Sequence, residues 1–420
     1  MSLTENTLPG PAAPAAPAAT AGIDWAKDDY VVCVVDAAGE VVTRVTLAYT
    51  KTGLARLVDL LHRHGVNGIG IERPDGPIID ALLAARQTLF VVPPSQVKAL
   101  RRRYGSAGNK DDRFDAYVLA DTVRTDRRRL TPLVEDGQAT TALRKMCRAR
   151  KDMVAHRIAV ANQLRAHLST ALPAAVDLFR DIDSAISRTF LARFTTQDTL
   201  DWLSVKRLAA WLASVGYSGR TDPAKLYEHI NTAPRGATGD YGRALAGITH
   251  AYLAALATIT TQIDALAQQI TEALDTHPDK EIFIHLPKAG TVRAARMLAE
   301  IGDARGRFPT ADSLACLAGV APSTRESGKI RVVAFRWAVD KQLRDAICDF
   351  AGDSRHANPW AADLYRRARA RGHDHPHAVR VLARAWVDII WKCWTTNTPY
   401  DPNQHRALQQ LIKQDQLVAG

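Results

Sequence analysis

Residues Gly22–Leu47 read GIDWAKDDYVVCVVDAAGEVVTRVTL, and this stretch decides the fold of the N-terminal part of the chain. Apolar and polar positions alternate along it, and Ala38-Gly39 provides a turn. A period of two with many β-branched residues is typical of strands joined by tight turns. The stretch therefore predicts three strands, with Asp24 on the first of them.

The segments that follow alternate between helical and strand patterns. They are TGLARLVDLLHRHG (52–65, helix), GIGIE (68–72, strand), IIDALLAA (78–85, helix), TLFVVP (88–93, strand) and PSQVKALRRRYG (94–105, helix). Three strands, helix, strand, helix, strand, helix is the order expected of an RNase H-like domain, a mixed sheet with helices on its faces. We predict this α/β domain over residues 21–135, after a disordered Pro/Ala-rich tail at 1–20.

Beyond Pro132 the pattern becomes helical. Residues 142–172 carry apolar side chains near helical spacing, and residues 253–274 carry them at three-four spacing, as in a coiled-coil seam. The sequence predicts a long helical hairpin or dimerising coil over 136–278, a spacer for RNA binding and oligomerisation. Residues 174–250 are expected to form a helical insertion between its arms.

The last region is predicted to be a mostly helical domain over 279–400, followed by a tail at 401–420. Within it, IFIHLPKAGTVRAARMLAEIGD (282–303) indicates a helix-hairpin-helix, with Thr291 as the cap of its second helix. Such a hairpin presents backbone N–H groups to a nucleic-acid phosphate. A plain helix connector is the alternative.

The composition indicates the class of partner. The chain has 55 Lys+Arg against 44 Asp+Glu, a formal net charge of +11, which favours a phosphate-rich partner. The five cysteines are far apart and form neither a zinc pair nor a disulfide framework, so we expect a reducing cytoplasm. The start of the chain does not resemble a secretory signal, and no apolar run approaches the ~20 residues of a spanning helix.

Four carboxylates form a candidate metal site. Asp112 and Asp115 lie a helical turn apart in NKDDRFDAYVLADTVR (109–124), Asp24 lies on the first strand, and Glu72 ends the fourth. Because the first and fourth strands of an RNase H-like sheet are adjacent, these acids can converge and hold two Mg²⁺ ions, or Mn²⁺. The alternative is a solvated or salt-bridged Asp pair.

Two further aspartates flank this pair. Asp111 could substitute for Asp112, and Asp121 lies about two turns beyond Asp115. We expect both to be surface acids.

Basic residues near these segments are candidate nucleic-acid contacts, with solvated helix faces as the alternative. They are Lys98, Arg101, Arg102 and Arg103; Arg144, Arg148 and Lys151; Lys288; and Arg325, Lys329 and Arg331. The last three lie in APSTRESGKIR (321–331), which also offers Ser323 and Ser327 as nucleophiles or as turn residues.

Four ordered segments resemble the DEDD-type transposases of the insertion-sequence 110 family. They are GIDWAK (22–27), IERPDG (71–76), NKDDRFDA (109–116) and LAGVAPSTRESGK (317–329). Two positions depart from the family pattern, which often has a small residue and Thr-Gly after the glutamate and commonly has Thr where Asp111 stands.

The resemblance implies an N-terminal RuvC-like domain with catalytic Asp24, Glu72, Asp112 and Asp115. It also implies a C-terminal transposase domain whose serine nucleophile directly precedes the glycine, which selects Ser327 over Ser323. In the family a structured bridge RNA pairs with target and donor DNA, and the working assembly is a tetramer, so we expect a homo-oligomer between dimer and tetramer.

The function predicted is that of an RNA-guided, Mg²⁺-dependent DNA recombinase that mobilises its insertion sequence through a phosphoserine intermediate. The active site is expected to be composite, within one chain or between subunits. Two alternatives remain open: a RuvC-like nuclease that cuts junction DNA with water as nucleophile, and a non-catalytic RNA-binding scaffold.

Overall fold

The computed structural model describes residues 19–104, 111–327 and 330–419. The chain forms two compact units, Met1–Glu135 and Asp136–Gly420. Each unit has hydrophobic clusters of its own.

The first unit contains a five-stranded mixed sheet with the order β3-β2-β1-β4-β5. Its strands are β1 (Thr20–Trp25), β2 (Asp29–Val35), β3 (Val41–Ala48), β4 (Ile69–Ile71) and β5 (Leu89–Val91). The first three strands are antiparallel neighbours, whereas β4 runs parallel to β1 and β5 runs parallel to β4. The predicted mixed α/β unit is confirmed, and this arrangement is consistent with an RNase H-like fold.

Four helices accompany the sheet: α1 (Lys51–Arg63), α2 (Pro77–Ala84), α3 (Pro94–Tyr104) and α4 (Asp112–Asp126). Side chains of one strand alternate between the two faces. On β2, Tyr30 and Val32 join the cluster beneath α1 and α2, whereas Val31 and Cys33 pack with small residues of α4. The sheet is therefore covered on both faces, and α4 lies close to it.

The second unit is mostly helical, as predicted. Its helices are α5 (Gln138–Ala171), α6 (Ala185–Arg193), α7 (Gln197–Asp201), α8 (Val205–Ser214), α9 (Pro223–Thr232), α10 (Gly239–Asp275), α11 (Lys280–Ile284), α12 (Gly290–Ile301), α13 (Ala311–Leu317), α14 (Lys341–Ser354), α15 (Pro359–Ala370), α16 (His375–Thr396) and α17 (Arg406–Ala419). A two-stranded antiparallel hairpin, β6 (Ser323–Ser327) and β7 (Ile330–Ala334), lies between α13 and α14. Helix α17 occupies most of residues 401–420, which were predicted to form a tail.

The two longest helices, α5 and α10, pack along each other as a hairpin. On α10 the buried residues Leu256, Ile263 and Ile270 recur every seven positions. Helices α6 to α9 lie between the two arms in sequence and form a hydrophobic cluster with the C-terminal half of α5. Association of this hairpin as a coiled coil stays a prediction.

Helix α10 is the only helix in the described part of the chain that is long and apolar enough to cross a bilayer, judged by length and composition. One such helix is weak evidence for a membrane protein. Here α10 carries Asp264 and Glu272 and packs along α5, so it is the arm of a hairpin.

The C-terminal helices enclose the largest hydrophobic cluster, to which the N-terminal half of α5 contributes Leu143 and Cys147. Two buried tryptophans are fixed by hydrogen bonds: Trp386 Nε1 donates to Ser354 Oγ at 2.9 Å, and Trp394 Nε1 donates to the Gly302 carbonyl at 2.7 Å. A buried tryptophan usually finds such a partner for its N–H group.

The turn between α11 and α12 has left-handed backbone at Lys288 (φ 59°) and Gly290 (φ 60°). The predicted Thr291 cap is wrong, because α12 begins at Gly290 and no side chain caps it. The Arg293 guanidinium instead donates to the Lys288 carbonyl at 2.8 Å. Nucleic-acid binding by this helix pair stays a prediction.

Candidate active site

Two neighbouring parallel strands place the first pair of acids. Ile23 on β1 pairs with Ile71 on β4, and the next residues are Asp24 and Glu72. The two carboxylates therefore follow the same pair of apolar residues at one edge of adjacent strands. Glu72 comes directly after β4, since that strand ends at Ile71.

Glycines on the sheet allow α4 to approach it closely. A Cβ placed on Gly70 would come within 2.6 Å of the Leu119 carbonyl oxygen. Gly22 on β1 is packed in the same way against the Ala116 and Ala120 backbone. These contacts hold the first turn of α4 beside the end of β1.

Three of the predicted acids are brought together. One carboxylate oxygen from each of Asp24, Asp112 and Asp115 lies within 4.8 Å of the other two. Asp115 is buried, Asp24 is half-buried and Asp112 is exposed. Among the residues that the structure describes, Glu72 lies outside this group of mutually close oxygens.

The surroundings of Asp115 fit a divalent cation. Its Oδ2 pairs with the Arg101 guanidinium, whereas its Oδ1 is buried and has no hydrogen-bond partner in the described chain. A buried carboxylate oxygen without a partner is energetically costly, and hard carboxylate oxygens are the ligands that Mg²⁺ and Mn²⁺ prefer. Arg101, predicted as a nucleic-acid contact, lies on this carboxylate.

The neighbouring aspartates have other roles. Asp111 caps α4 by accepting a hydrogen bond from the Arg113 N–H at 3.0 Å. Threonine also caps helices, which accounts for Asp at a position where the family pattern has Thr.

The prediction that Asp121 is a surface acid is wrong. Asp121 is 3% exposed, accepts the Tyr104 hydroxyl and pairs with Arg124. Burial and the bond to Asp121 raise the pKa of Tyr104 well above its usual range. This network joins α3 to α4. Because the partner Tyr104 lies on another helix, the apolar periodicity of α4 alone could not identify Asp121 as buried.

Arg73, at which the chain departs from the family pattern after Glu72, packs against Trp25, the residue after Asp24. The Arg73 guanidinium lies 5.0 Å from the centre of the Trp25 ring. Gly76 has φ 113°, and a Cβ on it would come within 2.7 Å of Trp25. Trp25 therefore links the segments that carry both acids.

The two candidate serines lie on the β6–β7 hairpin. Ser327 is exposed and pairs with Ile330 at the end of β6, whereas Ser323 pairs with Ala334 at the other end. No strand was predicted here, although the β-branched Ile-Arg-Val-Val run of β7 is a strand signal. Gly328, Lys329 and the side chains of Arg325 and Arg331 lie outside the described part of the structure.

The predicted basic contacts of α3 and of the α11–α12 turn lie at the surface. Lys98, Arg102, Arg103 and Lys288 are exposed. Arg103 lies 4.0 Å from Asp126.

The three residues of α5 that were predicted to contact nucleic acid lie in intramolecular ion pairs. Arg144 pairs with Asp136 and donates to the Ala299 carbonyl at 2.6 Å. Arg148 binds the buried Glu300 through two hydrogen bonds of 2.9 and 2.7 Å. Lys151 Nζ lies 2.6 Å from Asp345. These pairs hold α5 against the C-terminal helices.

Comparison with known proteins identifies two matched regions. Residues 21–173 match the DEDD transposase model of the IS110 type, described as a transposase. Residues 280–366 match the model described as transposase of the IS116/IS110/IS902 family. The two regions contain the carboxylate cluster and the serine hairpin, respectively.

Full-length relatives support the same assignment. The IS117 mini-circle protein of Streptomyces coelicolor, which carries the name of a transposase, is 32% identical over 409 residues, 93% of this chain and 97% of its own. An IS900 protein of Mycobacterium paratuberculosis is 29% identical over 91% of this chain and 97% of its own. An IS116 protein of Streptomyces clavuligerus is 29% identical over 88% and 93%. The chain therefore belongs to the IS110 family of insertion-sequence transposases.

Proposed function

We propose that this transposase mobilises its own insertion sequence as an RNA-guided, site-specific DNA recombinase. The single observation that carries the proposal is the cluster of Asp24, Asp112 and Asp115 oxygens within 4.8 Å. Within a chain of net charge +11, this cluster of carboxylates repels a polyanion unless a cation lies between the carboxylates and the polyanion.

Asp24, Asp112 and Asp115 would hold the metal, and Glu72, which directly follows β4, would complete the site. A divalent cation bound there supplies Lewis-acid polarisation of the scissile phosphate and stabilises the attacking and leaving oxygens. The partnerless Oδ1 of Asp115 supports this assignment. We propose Mg²⁺ as the ion, since the ligands are all carboxylates.

Ser327 is the proposed nucleophile. Its Oγ attacks the scissile phosphorus, an Oγ–P bond forms, and the bond from phosphorus to the 3′-oxygen breaks. The serine proton leaves, and the departing strand takes up a proton as a free 3′-hydroxyl. A 3′-hydroxyl of another strand then attacks the phosphoserine and restores the Ser327 hydroxyl. One phosphodiester replaces another, so no ATP is needed.

The exposed position of Ser327 supports this role, because a nucleophile on a large DNA substrate must be accessible. Guidance by a structured RNA is proposed from the family resemblance, and the net positive charge supports it. The resemblance also implies an oligomer.

Trapping a covalent protein–DNA adduct tests the mechanism. The full chain is incubated with its guide RNA, Mg²⁺ and a labelled DNA substrate that carries a nick beyond the cleavage point. The expected product is a phosphoserine adduct that survives denaturation. Ser327→Ala should lose the adduct and strand transfer, and Ser323→Ala serves as the matched control on the same strand.

Two outcomes would overturn parts of the proposal. Cleavage by Ser327→Ala at the parent rate would indicate water as nucleophile, as in a RuvC-like nuclease. If Asp24→Ala had the same activity as the parent, the assignment of the metal site would be refuted and a binding scaffold would be favoured.

A further inference from the structure

The Asp136–Gly420 unit contains a cavity of about 1230 Å³, lined by α5, α12, α14, α16 and the segment that follows β7. This volume exceeds the ~300–1,000 Å³ typical of small-molecule sites. Six arginines lie on its wall: Arg150, Arg293, Arg296, Arg344, Arg355 and Arg380. The size and the charge together indicate an extended anionic ligand.

The carboxylates of the wall are already neutralised. Each of the three aspartates is paired with a basic side chain: Asp345 with Lys151 at 2.6 Å, Asp349 with Arg296 at 2.6 Å, and Asp353 with Arg293. In the described part of the chain, Arg150, Arg355 and Arg380 form no ion pair. Three positive charges therefore remain on the wall without a counter-ion among the residues that the structure describes.

One of these arginines has an unsatisfied buried donor. The Nε of Arg150 is buried and has no hydrogen-bond partner among the described residues. Leaving a charged donor buried and unpaired is energetically costly. An anion supplied from outside the chain would remove that cost.

Aromatic side chains lie next to the cations. Trp337 is 82% exposed, and its ring lies 4.9 Å from that of Phe335. The Arg380 guanidinium lies over Phe335 at 4.9 Å. An exposed tryptophan beside free arginines is the arrangement on which unpaired nucleic-acid bases stack.

We propose that this cavity binds a single strand of DNA, with backbone phosphates on Arg150, Arg355 and Arg380 and an unpaired base on Trp337. The strand is assigned through the proposed function, on which this inference rests. Phe335 to Trp337 continue directly from β7, whose last residue Ala334 pairs with Ser323.

The hairpin sets the distance between the nucleophile and the cavity. Four residue steps separate Ser327 from Ser323, about 13 Å at 3.3 Å per residue. Measured along the helix axis of B-form DNA, that length corresponds to about four nucleotides of one strand at a rise of 3.4 Å each. The strand joined to Ser327 is therefore within reach of the cavity.

Binding of a labelled dT12 oligonucleotide, measured by fluorescence anisotropy, tests the proposal. The full chain is used as the Ser327→Ala variant in EDTA, so that neither metal nor chemistry contributes. Trp337→Ala should weaken the affinity about tenfold. Arg380→Gln should weaken it and reduce the slope of log K against log salt by about 0.7.

Matched controls exist in the same unit. Trp202 is 52% exposed and has Arg207 over its ring at 4.4 Å, but it lies outside the cavity, so Trp202→Ala should bind like the parent. Arg366 is exposed on α15, and Arg366→Gln should leave the salt slope unchanged. Melting curves check that each variant is folded.

Three results would overturn the proposal. The first is no binding of dT12 by the parent, and the second is equal binding by the cavity and control variants. The third is a tenfold preference for rU12 that Trp337→Ala removes, which would assign the cavity to RNA. The dT12 binding assay needs neither Ser327 nor metal. Failure to trap a phosphoserine adduct would therefore contradict the proposed function without changing the binding results.

Discussion

Gly22 on β1 lies directly against the backbone of α4, so that a Cβ placed on Gly22 would come within 2.0 Å of the Ala116 carbonyl oxygen. Real Cβ atoms do not approach an oxygen this closely. The position of α4, and with it the position of Asp112 and Asp115 beside Asp24, therefore depends on the absence of a side chain at residue 22.

Gly22→Ala should lower the free energy of unfolding of the first unit by about 3 kcal/mol, because the added methyl group must displace backbone. It should also weaken Mn²⁺ binding, since α4 carries two of the three clustered acids. Urea denaturation and titration calorimetry measure the two effects. Gly247→Ala on α10 is the control: apart from the helix's own backbone, no described atom lies within 4 Å of a Cβ placed there, and a small stabilisation is expected. A Gly22→Ala variant as stable as the parent would contradict the packing argument.

Arg101→Gln should increase the affinity for Mn²⁺ about tenfold. The Arg101 guanidinium pairs with Asp115, and its positive charge opposes a cation that uses the same carboxylate. Electron paramagnetic resonance measures free Mn²⁺ directly. Arg102→Gln, one residue along α3 and exposed, should leave the affinity unchanged. Weaker binding by Arg101→Gln would show instead that the arginine holds Asp115 in the orientation required for the metal.

Arg148→Gln should destabilise the second unit by about 3 kcal/mol. Glu300 is 4% exposed, and removing its two hydrogen bonds to Arg148 leaves a buried carboxylate without that partner. Arg63→Gln breaks an exposed pair with Asp59 and should cost less than about 0.5 kcal/mol. Affinity for single-stranded RNA, measured well below the melting temperature, should not change. A loss of RNA affinity with unchanged stability would restore Arg148 as a nucleic-acid contact.

Lowering the pH from 7 to 5.5 should destabilise the C-terminal end of the second unit by way of His405. Burial lowers the pKa of His405 below its usual 6.5, and its ring lies 4.5 Å from that of Trp360. The unfolded chain then takes up a proton near pH 6.5 while the folded chain does not. The stability contributed by neutral His405 is thus present above pH 6.5 and is lost as the pH falls toward the lower folded pKa.

Urea denaturation of the parent and of His405→Gln at pH 7 and 5.5 measures this effect. The variant should lose less stability than the parent between the two pH values. The exposed His62→Gln should behave like the parent. An identical pH dependence in all three proteins would exclude His405 as the source.

The order of elements in the first unit could be predicted from the sequence because the strand and helix periods there are regular and the turns are marked by Gly and Pro. The convergence of Asp24 with Asp112 and Asp115 followed from placing them on β1 and α4. The closeness that brings them within reach of one ion depends on Gly22 and Gly70, whose function is visible only once the helix is packed on the sheet.

Other features could not be predicted, because they depend on partners distant in sequence. The basic face of α5 was predicted to bind RNA, yet its Arg148 donates a hydrogen bond to Glu300, which lies 152 residues away in the sequence. Asp121 was predicted to be exposed, because its contacts with Tyr104 and Arg124 form only when α3 packs on α4. The β6–β7 hairpin is short and β6 is polar throughout, so the β-branched run of β7 was the strand signal available beside a Ser-Gly turn.

Helix α5 contributes to two separate cores, with Leu143 and Cys147 in one and Leu164 and Leu168 in the other. A continuous helix of 34 residues, about 51 Å long, therefore fixes both the spacing and the rotational phase of the two ends. Inserting one residue in each arm would turn one end by about 100° relative to the other. Deleting seven from each would shorten the span by about 10 Å but turn it only about 20°. Changes in the reach of this transposase are thus restricted to steps close to a whole number of helical turns, such as seven or eleven residues.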